Sequence, residues 1–138
     1  MPVANQWLVV GRVLHARVWG EPTAADAYAM NAEMLQMISA DGVAPVHVIV
    51  DLTDLVRLPS DVREIMSGMR IEQPEKSGWT VVVSRSAIAR FVAALTAQFM
   101  RQKVRAVSEL EAAIAFLWST DSTLPPEARP VPPASTGV

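Results

Sequence analysis

Apolar residues fall along this chain in short blocks whose spacing alternates between the period of strands and that of helices. The clearest block is Pro45–Ser60, PVHVIVDLTDLVRLPS. Val46–Val50 is a nearly continuous apolar run, Asp51–Asp54 an acidic loop, and Pro59-Ser60 the opening of a helix. A short apolar run closed by turn and cap residues is the pattern of a central strand covered on both faces. The rest of the chain can be arranged as strands beside it and helices over it.

Gln6–Val10 and Val13–Trp19 are β-prone runs separated by Gly11-Arg12, and a glycine in so short a gap signals an antiparallel hairpin. Trp7 and Trp19 are read as core, because tryptophan supplies much apolar area. Gly20-Glu21-Pro22 breaks the second strand, and Thr23 with Asp26 three residues on approximates a capping box. The first helix then runs to about Ala40 and stops at Asp41-Gly42, where glycine suits the left-handed position that follows a helix. Ala27, Met30, Met34, Met37 and Ile38 form its apolar stripe.

A second helix spans about Ser60–Ile71, with Val62, Ile65, Met66 and Met69 on one face and Ser60 or Asp61 as its cap. Gln73–Gly78 reads as an exposed loop and Trp79–Ser84 as another apolar strand. The third helix, Ser86 to about Arg101, buries Ile88, Phe91, Val92, Leu95 and Phe99. Ala89, Ala93 and Ala97 leave it a smooth second face for another helix or subunit. Arg101 and Lys103 lie where cations favour a helix C-terminus. Val104–Val107 is a last strand, and Ser108-x-x-Glu111 is a capping box that opens a fourth helix through about Ser119.

The order is therefore β-β-α-β-α-β-α-β-α. Strands separated by single helices become parallel neighbours through right-handed crossovers, so the fold class is α/β, a mixed sheet of about five strands with an N-terminal antiparallel hairpin. From Asp121 onward the composition changes, with five of the ten prolines in Pro125–Pro133. Residues 1–120 are expected to form a single domain, and residues 121–138 a proline-rich tail, disordered or extended.

Composition narrows the function. At 138 residues, 51% hydrophobic and 19% charged, the body can bury a sizeable core. A net charge of -2 offers no basic excess for nucleic acid, and the absence of cysteine excludes disulfides and thiolate chemistry. The opening MPVANQW lacks the basic and long apolar regions of a secretory signal. No window approaches the roughly 18 unbroken apolar residues of a membrane span, so no membrane insertion is expected and the cytosol is the expected location.

In open α/β sheets ligands gather at the carboxyl ends of parallel strands. That edge would display Asp51, Thr53, Asp54, Pro59, Ser60, Ser84, Ser86 and Ser108, beside helix N-termini that favour anions. The serines also serve as helix caps, and Asp51 as an acceptor for the backbone of its own loop. The two histidines, His15 and His47, both lie inside expected strands. Four residues at about 3.3 Å each put His47 roughly 13 Å from Asp51, too far to activate a serine at the other end of the strand. A Ser-His-Asp triad and a histidine metal site are both set aside. The six scattered glycines make no phosphate loop. A response-regulator receiver is excluded as well, since Trp7–Gly11 carries no acidic pair and Lys103 precedes the last strand. No enzyme, no cofactor and no metal are expected.

With Asp51-Leu52-Thr53 closing the middle strand and Ser60 opening the next helix seven residues on, the chain resembles the STAS domain, the fold of anti-sigma factor antagonists and of anion-transporter tails. In that family an Asp-x-Ser/Thr-like turn ends the strand, and Asp-Ser-Ser/Thr-Gly opens the helix with the serine that the partner kinase phosphorylates. Pro59 stands in place of the aspartate, Asp61 of the second serine or threonine, and Val62 of the glycine. The likeness spans about residues 6–119 and is nearest to the uncharacterised STAS-like proteins of bacteria.

The resemblance implies a non-catalytic regulatory or protein-interaction module with a protein partner, working through the loop 51–60. Ser60, Asp51, Thr53, Asp54, Arg57 and Asp61 are its candidate phosphorylation or partner-binding residues. A phosphate on Ser60 would add about -1.5 to -2 charges at a helix N-terminus, helped by Arg57 and Arg63 and opposed by Asp54, Asp61 and Glu64. The alternative is a small-molecule or lipid-binding domain with an apolar pocket under the helices that carry Met30, Met34, Met37, Met66 and Met69. A homodimer through the alanine face of the third helix is also expected.

Overall fold

The computed structural model describes residues 2–57, 77–87 and 103–129. The expected second and third helices, with the alanine face, Met66 and Met69, lie outside the described residues. Five strands form one sheet in the order β1-β2-β3-β4-β5: β1 (Val3–Val9), β2 (Val13–Val18), β3 (Val46–Asp51), β4 (Ser77–Val83) and β5 (Val104–Val107). β1 and β2 pair antiparallel, and every later pairing is parallel, with β3 at the centre. Two α-helices are described, α1 (Ala24–Asp41) and α2 (Leu110–Thr120), followed by a 3-10 turn at Pro126–Ala128. The mixed α/β sheet with its N-terminal hairpin is thus the one read from the sequence.

Alternation along each strand divides the core into two layers. On one face Leu14, Ala16, Val18, Val46 and Val48 meet Met30, Met34 and Ile38 of α1. On the other face Val13, Ile49, Val81 and Val83 meet Ala113, Ile114 and Leu117 of α2. Trp7 and Met37 add partial cover to the first layer, and Trp79 meets Phe116 edge to face at 4.9 Å in the second. The described part of the methionine stripe is core.

Local chemistry follows the sequence at the start of α1 and departs from it at two other helix ends. Thr23 and Asp26 form the reciprocal capping box, with bonds of 2.9 and 3.1 Å. Gly42 is not left-handed: its φ is -67° and ψ 134°. Glycine is needed there for space, because a Cβ would press on the Ile38 carbonyl and lie 3.1 Å from the Val46 side chain. Ser108 does not cap α2. The N-cap is Glu109, with no side-chain cap bond, since the chain bends through Ser108 and Glu109 before the helix begins. Glu111 then falls one position too early in the helix to complete the box.

The larger departure is at the C-terminus. Asp121 to Arg129 is folded against the body, with Leu124 only 2% exposed in the α2 layer and the Trp118 indole N–H donating to the Pro125 carbonyl at 3.0 Å. The chain therefore touches the body beyond residue 120, at Leu124 and Pro125; residues 130–138 lie outside the described residues. Within this proline-rich stretch Leu124 joins the apolar layer, and Asp121, Thr123 and Pro125 bond to the body.

Ile49, fully buried between β2, β4 and α2, tests the core directly. Ile49→Ala is expected to lower the unfolding free energy by about 2–5 kcal/mol in urea denaturation. Val10→Ser, at a hairpin residue that is 74% exposed, is expected to change it by less than about 0.5 kcal/mol.

Candidate functional site

β3 alternates apolar residues toward α1 with His47, Ile49 and Asp51 toward the α2 face, and β2 sets Val13 beside His47 and His15 beside Ile49 in register. One sheet face therefore carries two histidines, one at each end. Each is met by an aspartate, and each aspartate opens an Asp-x-Thr turn.

At the carboxyl end, His15 Nε2 lies 2.8 Å from Asp51 Oδ2, with both side chains buried. The other oxygen of Asp51 accepts the Thr53 backbone N–H at 3.0 Å and the Thr53 hydroxyl. Burial alone would raise the pKa of this carboxyl. The hydrogen bonds from His15 and from the Thr53 hydroxyl and amide outweigh it, and the pKa falls from 3.8 to about 2. Asp51 is thus an anion whose oxygens are all engaged, a brace rather than a free base.

The brace orients the loop beyond it. The Leu52 N–H donates to the Val83 carbonyl at 2.8 Å, and the Gly20 N–H to the Asp54 carbonyl at 3.0 Å. The Val56 and Arg57 N–H groups both donate to the Gly20 carbonyl, at 2.8 and 3.2 Å. Asp54 pairs with Arg17 at 3.0 Å and Arg57 with Glu21 at 3.7 Å, all four side chains exposed. Such exposed pairs add little stability. They leave alternating charge on the surface beside Val56, which is 75% exposed. Of the sequence-derived candidates, Asp51, Thr53, Asp54 and Arg57 come together on this loop; Ser60 and Asp61 lie outside the described residues. Nearby, the buried Ser84 accepts the Ser86 N–H at 3.1 Å.

At the amino end, His47 Nε2 lies 2.8 Å from Asp121 Oδ2, and the Trp79 N–H donates to His47 Nδ1 at 2.9 Å. That donor needs an unprotonated Nδ1, so the ring is the neutral tautomer that donates from Nε2 to Asp121. Burial, the largest influence, lowers the His47 pKa below 6.5, with Arg12 and Lys103 adding to the effect against Asp121. Arg12 donates to Asp121 Oδ2 at 2.8 Å, to the Thr123 hydroxyl at 2.7 Å and to the Pro45 carbonyl at 3.1 Å. Burial raises the Asp121 pKa, but the Thr123 hydroxyl, His47, the Thr123 amide and Arg12 together hold it at about 2. Gly78 makes the site possible, since a Cβ there would stand 2.5 Å from His47 Nδ1.

Neither histidine partnership was anticipated from the sequence. The available signal was the repeated Asp-x-Thr, Asp51-Leu52-Thr53 and Asp121-Ser122-Thr123, whose second copy was hidden by the prolines that follow it. Among the described residues no helix is long and apolar enough to cross a membrane.

No protein-family model matches the sequence, and no curated protein matches it either. Solved structures do match. An uncharacterized protein of the DUF3478 family from Shewanella loihica, with a SpoIIAA-like fold, superposes with a TM-score of 0.64 at 12% identity, over 83% of this chain and 93% of that one. The phosphorylated form of the Bacillus cell fate determinant SpoIIAA gives 0.58 at 16% identity, over 83% and 98%. The unphosphorylated form of the anti-sigma factor antagonist SpoIIAA gives 0.57 at 18% identity, over 84% and 96%. The chain has a SpoIIAA-like, STAS-type fold. The architecture implied by the Asp51–Ser60 pattern is therefore the one found, at identities that speak for the fold alone.

The buried groups set a pH dependence whose sign is the same for all three. His47 takes a proton more readily unfolded than folded, so its contribution is full above 6.5 and is lost as pH falls. Asp51 and Asp121, held at about 2 against 3.8, contribute stability that fades as pH drops from 3.8 toward 2. The urea midpoint is expected to fall on acidification in two stages, the first flattened by His47→Gln and the second diminished by Asp121→Asn. A midpoint constant between about pH 7 and pH 5 would contradict a buried neutral His47.

Proposed function

We propose that the chain is a non-catalytic regulatory module that binds a protein partner through the carboxyl-edge loop from Asp51 to Ser60. The observation that carries this reading is the His15–Asp51–Thr53 brace. It commits the buried carboxylate of Asp51 to holding a loop, and presents Asp54, Val56 and Arg57 outward from it. A braced loop with an exposed apolar residue between opposite charges suits recognition of another protein surface. In this reading Asp51 serves the loop's structure, with one oxygen on His15 and the other on Thr53.

The SpoIIAA-like fold supports the same reading, because SpoIIAA is an anti-sigma factor antagonist and occurs in phosphorylated and unphosphorylated forms. Ser60 occupies the corresponding place in the sequence pattern, and a phosphate there would set the loop's charge against Asp54 and alter partner binding. The cytosol is the proposed place of action. A pocket beneath the methionine-rich helices is the weaker reading, because Met30 and Met34 are close-packed against β2 and β3.

The test is affinity capture from the native cells with the wild-type chain, Asp51→Ala and Ser60→Asp as baits, followed by intact-mass measurement of the native protein. A partner captured by the wild type, and weakened at least tenfold by either substitution, is the expected outcome. A captured set that is unchanged by both substitutions would remove this edge from the function. A mass increase of one phosphate on Ser60 would identify the switch.

A further inference from the structure

Among the described residues β1 is an edge of the sheet with no strand beyond it, and its sequence, VANQWLV, contains no charged residue and no proline. Natural edge strands are usually blunted by lysine, proline, bulges or brevity, because an open row of N–H and C=O groups invites another strand. β1 runs for seven residues, and its one irregularity lies at the far end, between Trp7 and Val9.

The register shows which groups are open. The Trp19 N–H donates to the Pro2 carbonyl at 3.0 Å, and the pairing continues as Val3 with Val18 and Ala4 with Arg17. In an antiparallel ladder hydrogen-bonded pairs alternate, so Ala4 and Gln6 bond inward to β2 while Val3, Asn5 and Trp7 direct their backbone groups outward. The other side of β2 agrees: the Arg12 carbonyl accepts the His47 N–H at 2.8 Å, so even-numbered residues of β2 serve β3 and odd-numbered ones serve β1. Among the described residues nothing pairs with the outward row. Its centre is stiffened by Asn5, whose amide donates to the Met30 carbonyl at 3.0 Å and to Glu33 at 3.1 Å.

We propose that β1 is the seam of a homodimer, in which two copies pair this strand antiparallel about a twofold axis at Asn5 and make one continuous sheet. The pairing sets Val3 against Trp7 of the second copy, Asn5 against Asn5, and Trp7 against Val3, each an outward hydrogen-bonded pair. Trp7 thereby covers a β-branched residue, a favourable cross-strand combination. On the opposite face the exposed Ala4 and Gln6 meet each other across the axis.

A second copy fits better than a charged partner, because the strand offers no charge to select one. The chain's net charge of -2 opposes self-association only weakly. Glu33, the carboxylate bonded to the central Asn5, is exposed, so water and salt screen it from its twin. The other sheet edge, β5, has four residues and an exposed Arg105, a poor match for seven uncharged ones. Pairing β1 with β5 would also be head-to-tail and open-ended, whereas β1 with β1 closes at two copies.

Sedimentation velocity of the full chain over a wide concentration range tests the seam. The wild type is expected to reach a dimer as concentration rises. Ala4→Lys with Gln6→Lys places lysine opposite lysine across the axis, so that double variant is expected to remain monomeric with an unchanged circular dichroism spectrum. Ala4→Glu with Gln6→Glu is expected to do the same, and mixing the two variants to restore a dimer, which only opposed strands would allow. Val3→Pro removes one outward N–H without touching the β1–β2 ladder, and is expected to weaken the dimer roughly tenfold or more. A wild type that stays monomeric, or a dimer indifferent to the lysine pair and to Val3→Pro, would overturn the proposal.

Discussion

Burying two imidazoles in one face of an apolar sheet is the constraint on which the rest of this structure depends. A polar group taken from water without a partner costs several kcal/mol at the upper end of measured values, so each ring must bring a hydrogen-bonding group with it. Both rings are served by the same local device. An aspartate turns its chain back through the hydroxyl and amide of the threonine two residues on, and offers its second oxygen to the histidine. The device satisfies the carboxylate as fully as the ring, which is why both aspartates stay ionised while shielded from water.

The two copies of this device act on different parts of the chain. His15 and Asp51 join neighbouring strands at the carboxyl edge, where the brace determines how the loop through Arg57 leaves the sheet. His47 and Asp121 join the central strand to a segment 74 residues away, and Arg12 adds the hairpin to the same carboxylate. Leu124, buried in the same apolar layer as Val13 and Ile49, adds a hydrophobic contact to that polar one. The C-terminal segment is therefore held by polar bonds at Asp121, Thr123 and Pro125 and by the burial of Leu124.

Most of the sheet was legible because burial imposes an unambiguous pattern: Val46–Val50 and Val81–Val83 have few alternatives to covered strands. Thr23–Asp26 was legible because a cap is a purely local device. The failures are places where a distant contact decided the outcome. Gly42 was read for its handedness, but the Ile38 carbonyl and Val46 fix its role. Ser108 was read as a cap, but the chain bends through Ser108 and Glu109 after β5, so the helix starts one residue later. Asp121 was read as the start of a loose tail, since nothing in its own neighbourhood reveals a histidine 74 residues earlier in the chain. The candidate loop was legible in its residues and not in its brace, because His15 becomes a partner of Asp51 only once β2 and β3 are side by side.

The geometry also separates surfaces that a single small domain could easily have merged. The braced loop lies at the carboxyl ends of β2 and β3, the Asp121 anchor at their amino ends, and the outward row of β1 along one side. A sheet transmits little between such places unless an element joining them has two arrangements, and β2 is paired along its length on both sides. A charge added at the loop would therefore alter what binds there without disturbing pairing at the edge strand. Self-association and partner recognition would then be independent properties, so that a dimer presents two equivalent loops, each free to be occupied or blocked on its own.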